Sequence, residues 1–167
     1  VILRIFFSEH GDNFMRTCHI AHPLTKEAFT FNATFKGFLA DEKALKEIFA
    51  ITGQGGNFPC IGCLNVANRW VDVSDARMKL MHHWDPNIDE WKVCTHAHVR
   101  AKVDRINTAT PTDRTKLKTH LGLNYCSTGL LFCTYLMSRV LDCPNSYIRD
   151  WMHTFVSNGL AGTHLGL

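Results

Sequence analysis

The chain has 167 residues, of which 46% are hydrophobic, and its formal net charge is +3. A chain of this length can bury a core of its own, so one globular domain is expected, with two smaller domains as the alternative. The longest apolar run, residues 129 to 136, is far shorter than the roughly 18 to 20 residues of a membrane span, which argues against a membrane partner. The mild positive charge is compatible with a polyanion but indicates no partner by itself.

The cysteines also indicate the cellular compartment. The chain has seven, and their spacing is irregular apart from Cys60 and Cys63. This pattern favours reduced, mostly buried thiols over a disulfide framework, and therefore the cytoplasm or the nucleus. The chain starts without Met and without a secretory leader, so we expect coding sequence upstream of Val1.

The first part of the chain predicts a small sheet that leads into a helix. Residues 1–7 are apolar except for Arg4, and residues 28–39 alternate between apolar and polar side chains, so each segment predicts a strand. Turn residues between the segments favour neighbouring strands. After Asp41 the apolar spacing changes to that of one helix face, and Gly53 is expected to end this helix. The apolar residues of that face are Ala44, Leu45, Ile48 and Phe49.

The second part of the chain is mainly helical by pattern. Helices are predicted over residues 74–83, 88–106, 111–120, 128–142 and 147–158. A small sheet followed by helices is an α/β arrangement.

Cys60 and Cys63 form a Cys-x-x-Cys pair on a glycine-rich turn. Two thiolates on such a turn can bind one zinc ion, but zinc needs two further ligands, and the ten histidines are the abundant candidates. A redox centre would need a helix start at the first cysteine, and the residues after Cys63 lack a clean helical pattern. The third interpretation is that both cysteines are small buried apolar residues.

Asp41 also has two interpretations. Aspartate is a favoured helix N-cap, and Glu42 beside it suits the positive end of the helix dipole. A carboxylate between the end of a strand and the start of a helix is also where α/β folds bind Mg²⁺, although that chemistry needs two or three converging acids. The other acids of the chain supply no evident partner.

Two blocks carry a resemblance to a known family. The stretch "GFLADEKALKEIFAITGQGGNFPCIGC" and the later "YIRDWMHTFVSNGLAG" resemble the DDE-type transposases of the En/Spm (CACTA) group. These have an aspartate opening a helix, a glycine-rich loop, a Cys-x-x-Cys pair about twenty residues on and a later Asp-x-Met-His segment. The aspartate-to-cysteine spacing is also similar to that of the Transib transposases and of the catalytic subunit of the V(D)J recombinase.

The resemblance implies a fold and a chemistry. The fold would be a partial RNase H-like core over residues 1–66, a helical insertion over 67–145 and a helix over 146–167 that returns to the core. Asp41 would be the second acid of a DDE triad that binds Mg²⁺ and cuts or joins DNA strands. Cys60, Cys63, His153 and His164 would bind a structural zinc, with His164 the poorer match. His153 can instead be a core histidine on a helix face.

The chain also departs from the family pattern, and these departures lead to an alternative function. The first acid would lie upstream of Val1, and no Asp or Glu follows His153. A fragment with one acid of the triad would not catalyse alone, so the alternative is an inactive, zinc-stabilised DNA- or protein-interaction module derived from a transposon.

The resemblance also implies partners. The expected partner is DNA, both the transposon ends and the target. The resemblance also implies a nuclear location and a protein that can form a homo-oligomer. Charges on two predicted helices could contact phosphates, with a solvated helix face as the simpler interpretation. The candidate DNA-binding residues are Arg100, Lys102, Arg105, Lys116 and Lys118.

Overall fold

The computed structural model describes Phe7, Phe14 and residues 18–68, 80–82 and 85–150. Six strands lie in this part of the chain: β1 Cys18–Ala21, β2 Ala28–Phe31, β3 Phe38–Ala40, β4 Val66–Ala67, β5 Met81–His82 and β6 Tyr147–Arg149. It also contains four α-helices: α1 Glu42–Ile48, α2 His96–Thr108, α3 Pro111–Leu121 and α4 Thr134–Arg139. Short 3-10 turns occur at Gly53–Gly55, Ile88–Glu90 and Leu130–Phe132. The mixture of helices and small sheets confirms the α/β class.

The strands form three two-stranded sheets within the described residues. β1 pairs with β2 in an antiparallel hairpin, whereas β3 pairs with β6 and β4 with β5 in parallel. Parallel neighbours need long connections. The connection from β3 to β6 contains all four helices.

Helix α1 has complete caps at both ends. The Asp41 side chain accepts a hydrogen bond from the Ala44 N–H at 2.7 Å, as expected of an N-cap. At the other end Ala50 adopts a left-handed conformation with φ 53°. The Ile51 N–H then bonds to the Lys46 carbonyl at 2.9 Å and the Ala50 N–H to the Glu47 carbonyl, which is a Schellman motif. The helix therefore ends before Gly53, where the sequence had predicted its end.

The main core lies between the β3–β6 sheet and the helices. Leu45 and Phe49 of α1 are fully buried, and α2 adds Val99 and Ile106. The Phe49 ring contacts two strands, with centroids 5.8 Å from the Phe38 ring and 5.4 Å from the Tyr147 ring. One buried side chain thus packs against both strands of this sheet.

Several predicted elements differ from the structure. The strand predicted over 28–39 is interrupted, since residues 32–37 are not in a strand, and its partner is β1. The end of the helix predicted over 74–83 is strand β5, and the start of that predicted over 147–158 is strand β6. The helices predicted over 88–106 and 128–142 are each a 3-10 turn followed by a shorter helix, whereas the helix over 111–120 is confirmed. Residues 1–6, 74–79 and 151–167 lie outside the described part, and the domain boundaries stay predictions.

Replacing Gly37 tests the β3–β6 pairing. A Cβ at Gly37 would lie 2.7 Å from the Ser146 carbonyl oxygen and 2.9 Å from its Cα, so backbone must move. We expect Gly37→Ala to lower the free energy of unfolding by about 1–3 kcal/mol, the usual cost of overpacking. Gly55→Ala is the matched control, because a Cβ there meets nothing within 4 Å. Equal urea midpoints for the two variants would contradict the close strand approach.

Candidate metal centre

Two aspartates follow the ends of β3 and β6. The strands pair in parallel with Ala40 opposite Arg149, and the Asp150 N–H donates to the Ala40 carbonyl at 3.0 Å. Asp41 and Asp150 are the next residues along the two strands. Because parallel strands end at the same edge of a sheet, the structure places these two acids at one edge, which is where α/β proteins bind ligands.

The side chain of Asp41 acts as a helix cap. Its Oδ1 atom accepts from the Ala44 N–H, and the residue is half-buried. The predicted capping role is confirmed. A carboxylate has two oxygens and about four acceptor sites, so a cap does not exhaust its capacity. The catalytic role stays a prediction.

Sequence reasoning missed Asp150 as a partner of Asp41. The segment from residue 147 was predicted to be helical, so Asp150 was not expected at the end of a strand. A local signal was available: Tyr147 and Ile148 have high strand propensity, and Asp150 follows them after one residue, Arg149.

Cys60 and Cys63 lie together on one turn. Their Sγ atoms are 3.2 Å apart. The backbone of residues 93 and 94 anchors this turn. Cys63 forms an antiparallel bridge with Val93, and the Cys94 N–H donates to the Gly62 carbonyl at 2.9 Å. Both thiols are partly exposed, so the interpretation as buried core residues is wrong. The residues after Cys63 lead into strand β4 and not into a helix, which also argues against a thioredoxin-like centre.

The two thiols have opposite acidity. A hydrogen bond from Cys63 lowers the pKa of Cys60 to about 5; burial opposes this, while the Gly62 backbone and the Arg149 guanidinium assist it. The same hydrogen bond, together with burial, raises the pKa of Cys63. The hydrogen bond thus favours the thiolate form of Cys60 and the thiol form of Cys63. Thiolate is the form in which cysteine binds metals.

The donor types fit the predicted metals. Two sulfurs on one turn supply half of a tetrahedral zinc site, and carboxylate oxygens such as those of Asp41 suit Mg²⁺. His153 and His164 lie outside the described residues. Within the described residues no group of three or more His, Cys, Asp or Glu side chains could hold a metal. Both metals stay predictions.

An ion pair joins helix α1 to strand β6. The Arg149 Nε atom lies 2.6 Å from Glu42 Oε2, and Lys46 Nζ lies 3.2 Å from Glu42 Oε1. The Arg149 guanidinium is also 5.4 Å from the Tyr147 ring centroid. No local pattern in the sequence indicates this pair, because Glu42 and Arg149 are 107 residues apart.

The candidate DNA-binding residues do not form one group. Arg100, Arg105, Lys116 and Lys118 are exposed, whereas Lys102 lies with Val99, Val103 and Ile106 on the inward face of α2. Arg100 and Arg105 are five positions apart on one helix, and Lys116 and Lys118 are two apart on the next. Such spacings do not share a helix face. Lys102 is only partly buried, and all five assignments as phosphate contacts stay predictions.

Comparisons with known proteins add no relative. No family model, no curated protein and no solved structure matches the chain. None of the described helices is long and apolar enough to cross a membrane. The transposase resemblance therefore depends on the two sequence blocks.

Replacing Glu42 gives a pH-dependent test of the ion pair. Burial opposes ionisation of Glu42, but hydrogen bonds from Arg149 and Lys46 hold its pKa below the ordinary 4.5. A lowered folded-state pKa stabilises the protein above the unfolded-state pKa, and this stability is lost as pH falls through the folded-state value. We expect Glu42→Gln to lower the free energy of unfolding near neutral pH by roughly 0.5–1 kcal/mol, since the carboxylate is partly solvated.

The control for this test is Glu47→Gln on the exposed side of the same helix. Thermal unfolding of both variants and the wild type is followed from neutral pH down to about pH 3. The Glu42→Gln deficit should vanish at the acid end. A deficit that is constant with pH would show that the ion pair does not contribute through charge.

Proposed function

We propose that this chain is part of a DDE-type transposase with an RNase H-like core, whose complete form cuts and transfers DNA strands with Mg²⁺. One observation carries the proposal. The two sequence blocks that resemble the family are distant in the chain, yet their strands β3 and β6 are hydrogen-bonded parallel neighbours. In an RNase H-like fold, acids of the site follow strand ends at one edge of a sheet, and Asp41 and Asp150 match that arrangement.

Asp41 and Asp150 are the residues that would hold Mg²⁺. Magnesium, when bound at such a site, activates the attacking water or 3′-hydroxyl and stabilises the leaving oxygen. The role of the chain's own residues is to position these two acids. Helix α1 starts at Asp41 and fixes its backbone, while the ladder bond from Asp150 to Ala40 keeps the two acids in register. A further acid would come from outside this pair.

Cys60 and Cys63 would hold the structural zinc with His153. Their turn is anchored to Val93 and Cys94, just before α2, so zinc would fasten the helical region to the strand edge. His153 is four residues beyond Arg149, which already interacts with Cys60. This short separation supports His153 as the third ligand, and His164 stays the weaker candidate for the fourth.

The second candidate function is an inactive, zinc-stabilised interaction module. The capping bond of Asp41 favours it, because a cap alone explains an aspartate at this position. The two candidates differ in whether the charge of Asp41 matters or only its ability to accept a hydrogen bond.

Substituting Asp41 separates these roles. Asparagine caps a helix about as well as aspartate, whereas alanine costs about 1 kcal/mol. We expect Asp41→Asn in the full-length protein to keep its stability but lose Mg²⁺-dependent nicking of plasmid DNA by on the order of 100-fold, as when one stabilising group is removed from a reacting centre. Asp104→Asn, at an exposed position of α2, is the control. Unchanged nicking by Asp41→Asn would leave Asp41 a cap only.

Zinc stoichiometry tests the metal centre. Elemental analysis of the purified chain should find about one zinc per chain, the content of a closed structural site. The Cys60→Ser and His153→Ala variants should each lose it. Cys18→Ser, a partly exposed cysteine on the β1–β2 hairpin, should keep it. A folded wild type without zinc would remove the centre from the proposal.

A further inference from the structure

A small cavity lies between the connection from β2 to β3 and the end of α4. Its volume is about 190 Å³, and three phenylalanine rings line it, those of Phe7, Phe14 and Phe35. Phe7 is buried, and its ring centroid lies 5.8 Å from that of Phe14 and 5.5 Å from that of Phe35, edge to face in both pairs. The floor of the cavity is therefore an aromatic cluster.

Polar side chains line the same cavity where it opens to solvent. Asn32, Thr34 and Arg139 are exposed lining residues. Arg139 is the last residue of α4 and lies one turn from Tyr135, whose hydroxyl donates to the Phe7 carbonyl at 2.6 Å. This bond fixes the side of α4 that faces the aromatic cluster. The cavity thus combines an aromatic floor with an amide, a hydroxyl and a guanidinium at its rim.

The size and lining of the cavity indicate the chemical class of its ligand. An apolar cavity of roughly 150 Å³ holds benzene, so this one accommodates one six-membered ring with small substituents. Aromatic side chains bind such a ring through its faces and edges. An amide and a hydroxyl both donate and accept hydrogen bonds, which suits the edge of a pyrimidine base, and a guanidinium suits a phosphate. The aromatic side chain of a peptide offers less to this rim, so the lining favours a nucleotide.

The cavity is connected to the candidate metal centre through β3. The Phe35 ring centroid lies 5.1 Å from that of Phe38, the first residue of β3, and Asp41 follows the last residue of this strand. The chain from Phe35 to Asp41 can span at most roughly 20 Å. A DNA strand covers that distance with about six nucleotides at roughly 3.4 Å each. A strand of this length can therefore contact the acids and place a base in the cavity.

We propose that this cavity binds one unpaired pyrimidine base of a DNA strand, with Arg139 bound to the neighbouring phosphate. The inference rests on the proposed function for the DNA strand and adds a nucleotide-binding site outside the metal centre. Contact with the phenylalanine rings gives affinity that depends on the base, whereas the Arg139 contact depends on the phosphate charge. The two contributions can be measured separately.

The test is binding of a labelled oligothymidine of about eight nucleotides to the purified chain, followed by fluorescence anisotropy without added Mg²⁺. The matched probe is an abasic strand of the same length, which keeps the phosphates and lacks the bases. We expect the wild type to bind oligothymidine more tightly than the abasic strand. Phe14→Leu should weaken oligothymidine binding by about 5–100-fold, the loss of one stacked base, and leave abasic binding unchanged.

Ala33→Leu provides a second arm, because Ala33 lines the cavity and a leucine there would fill it. It should weaken oligothymidine binding as Phe14→Leu does, although it removes no aromatic ring. The control for both variants is Phe132→Leu, a partly buried ring that packs against Tyr125 outside the cavity.

Arg139→Gln tests the phosphate contact. The slope of log affinity for oligothymidine against log salt should fall by about 0.7, the contribution of one phosphate on a single strand. Phe14→Leu should leave this slope unchanged. Lys26→Gln, at an exposed position of the β1–β2 turn, is the matched control. Ala33→Leu and Arg139→Gln decide the question even if Phe14→Leu does not fold, as judged by circular dichroism.

Several results would overturn the inference. They are equal wild-type affinity for the two probes, unchanged oligothymidine binding by folded Phe14→Leu or Ala33→Leu, and an unchanged salt slope in Arg139→Gln. Displacement of the oligonucleotide by an equal concentration of thymidine 5′-monophosphate would assign the cavity to a free nucleotide and overturn binding of a strand.

Nicking and strand binding separate this inference from the proposed function, because only nicking needs Mg²⁺. If Asp41→Asn loses nicking while the wild type shows no base-dependent binding, the cavity alone fails. Base-dependent binding by a full-length wild type that does not nick DNA would keep the cavity and overturn the transposase activity.

Discussion

The parallel pairing of β3 with β6 is the contact on which the rest of this structure depends. It spans three residues in each strand, and one fully buried ring, Phe49, packs against both strands. The backbones approach so closely at Gly37 that a side chain there would strike Ser146. The carboxyl edge of this short ladder carries Asp41 and Asp150, and its last residue, Arg149, pairs with Glu42 of α1.

Charge is distributed unevenly around this edge. The acids Asp41 and Asp150 follow the strands, whereas Arg149, the last residue of β6, is paired with Glu42 of α1. Hard cations prefer oxygen and zinc accepts sulfur, so the proposed magnesium and zinc would occupy two distinct sites.

Local patterns were the most predictable part of this fold. The Asp41 cap, helix α1 and the helix that starts at Pro111 follow from propensity and capping residues within a few positions. The strand β6 could not be predicted in this way. Its three residues pair with a strand 109 positions away in sequence, and the strand propensity of Tyr147 and Ile148 does not identify that partner. The prediction of a helix there followed the apolar spacing of the residues after it.

The same limit applies to the candidate site. Spacing alone identified Cys60 and Cys63, since both ligands lie on one turn. It could not identify Asp150 or Arg149, because each meets its partners only through tertiary packing. Lys102 is predicted to be a DNA contact, and in the structure it is partly buried because it shares a face of α2 with the buried Val99, Val103 and Ile106.

The long connection between β3 and β6 has a consequence for the order of folding. Hairpin β1–β2 and the individual helices close short loops, whereas the β3–β6 ladder must close a loop of more than one hundred residues, at an entropic cost of roughly 4 kcal/mol. Contacts of such long range form late. We therefore expect the edge that carries Asp41 and Asp150 to form late, after the helices within the connection.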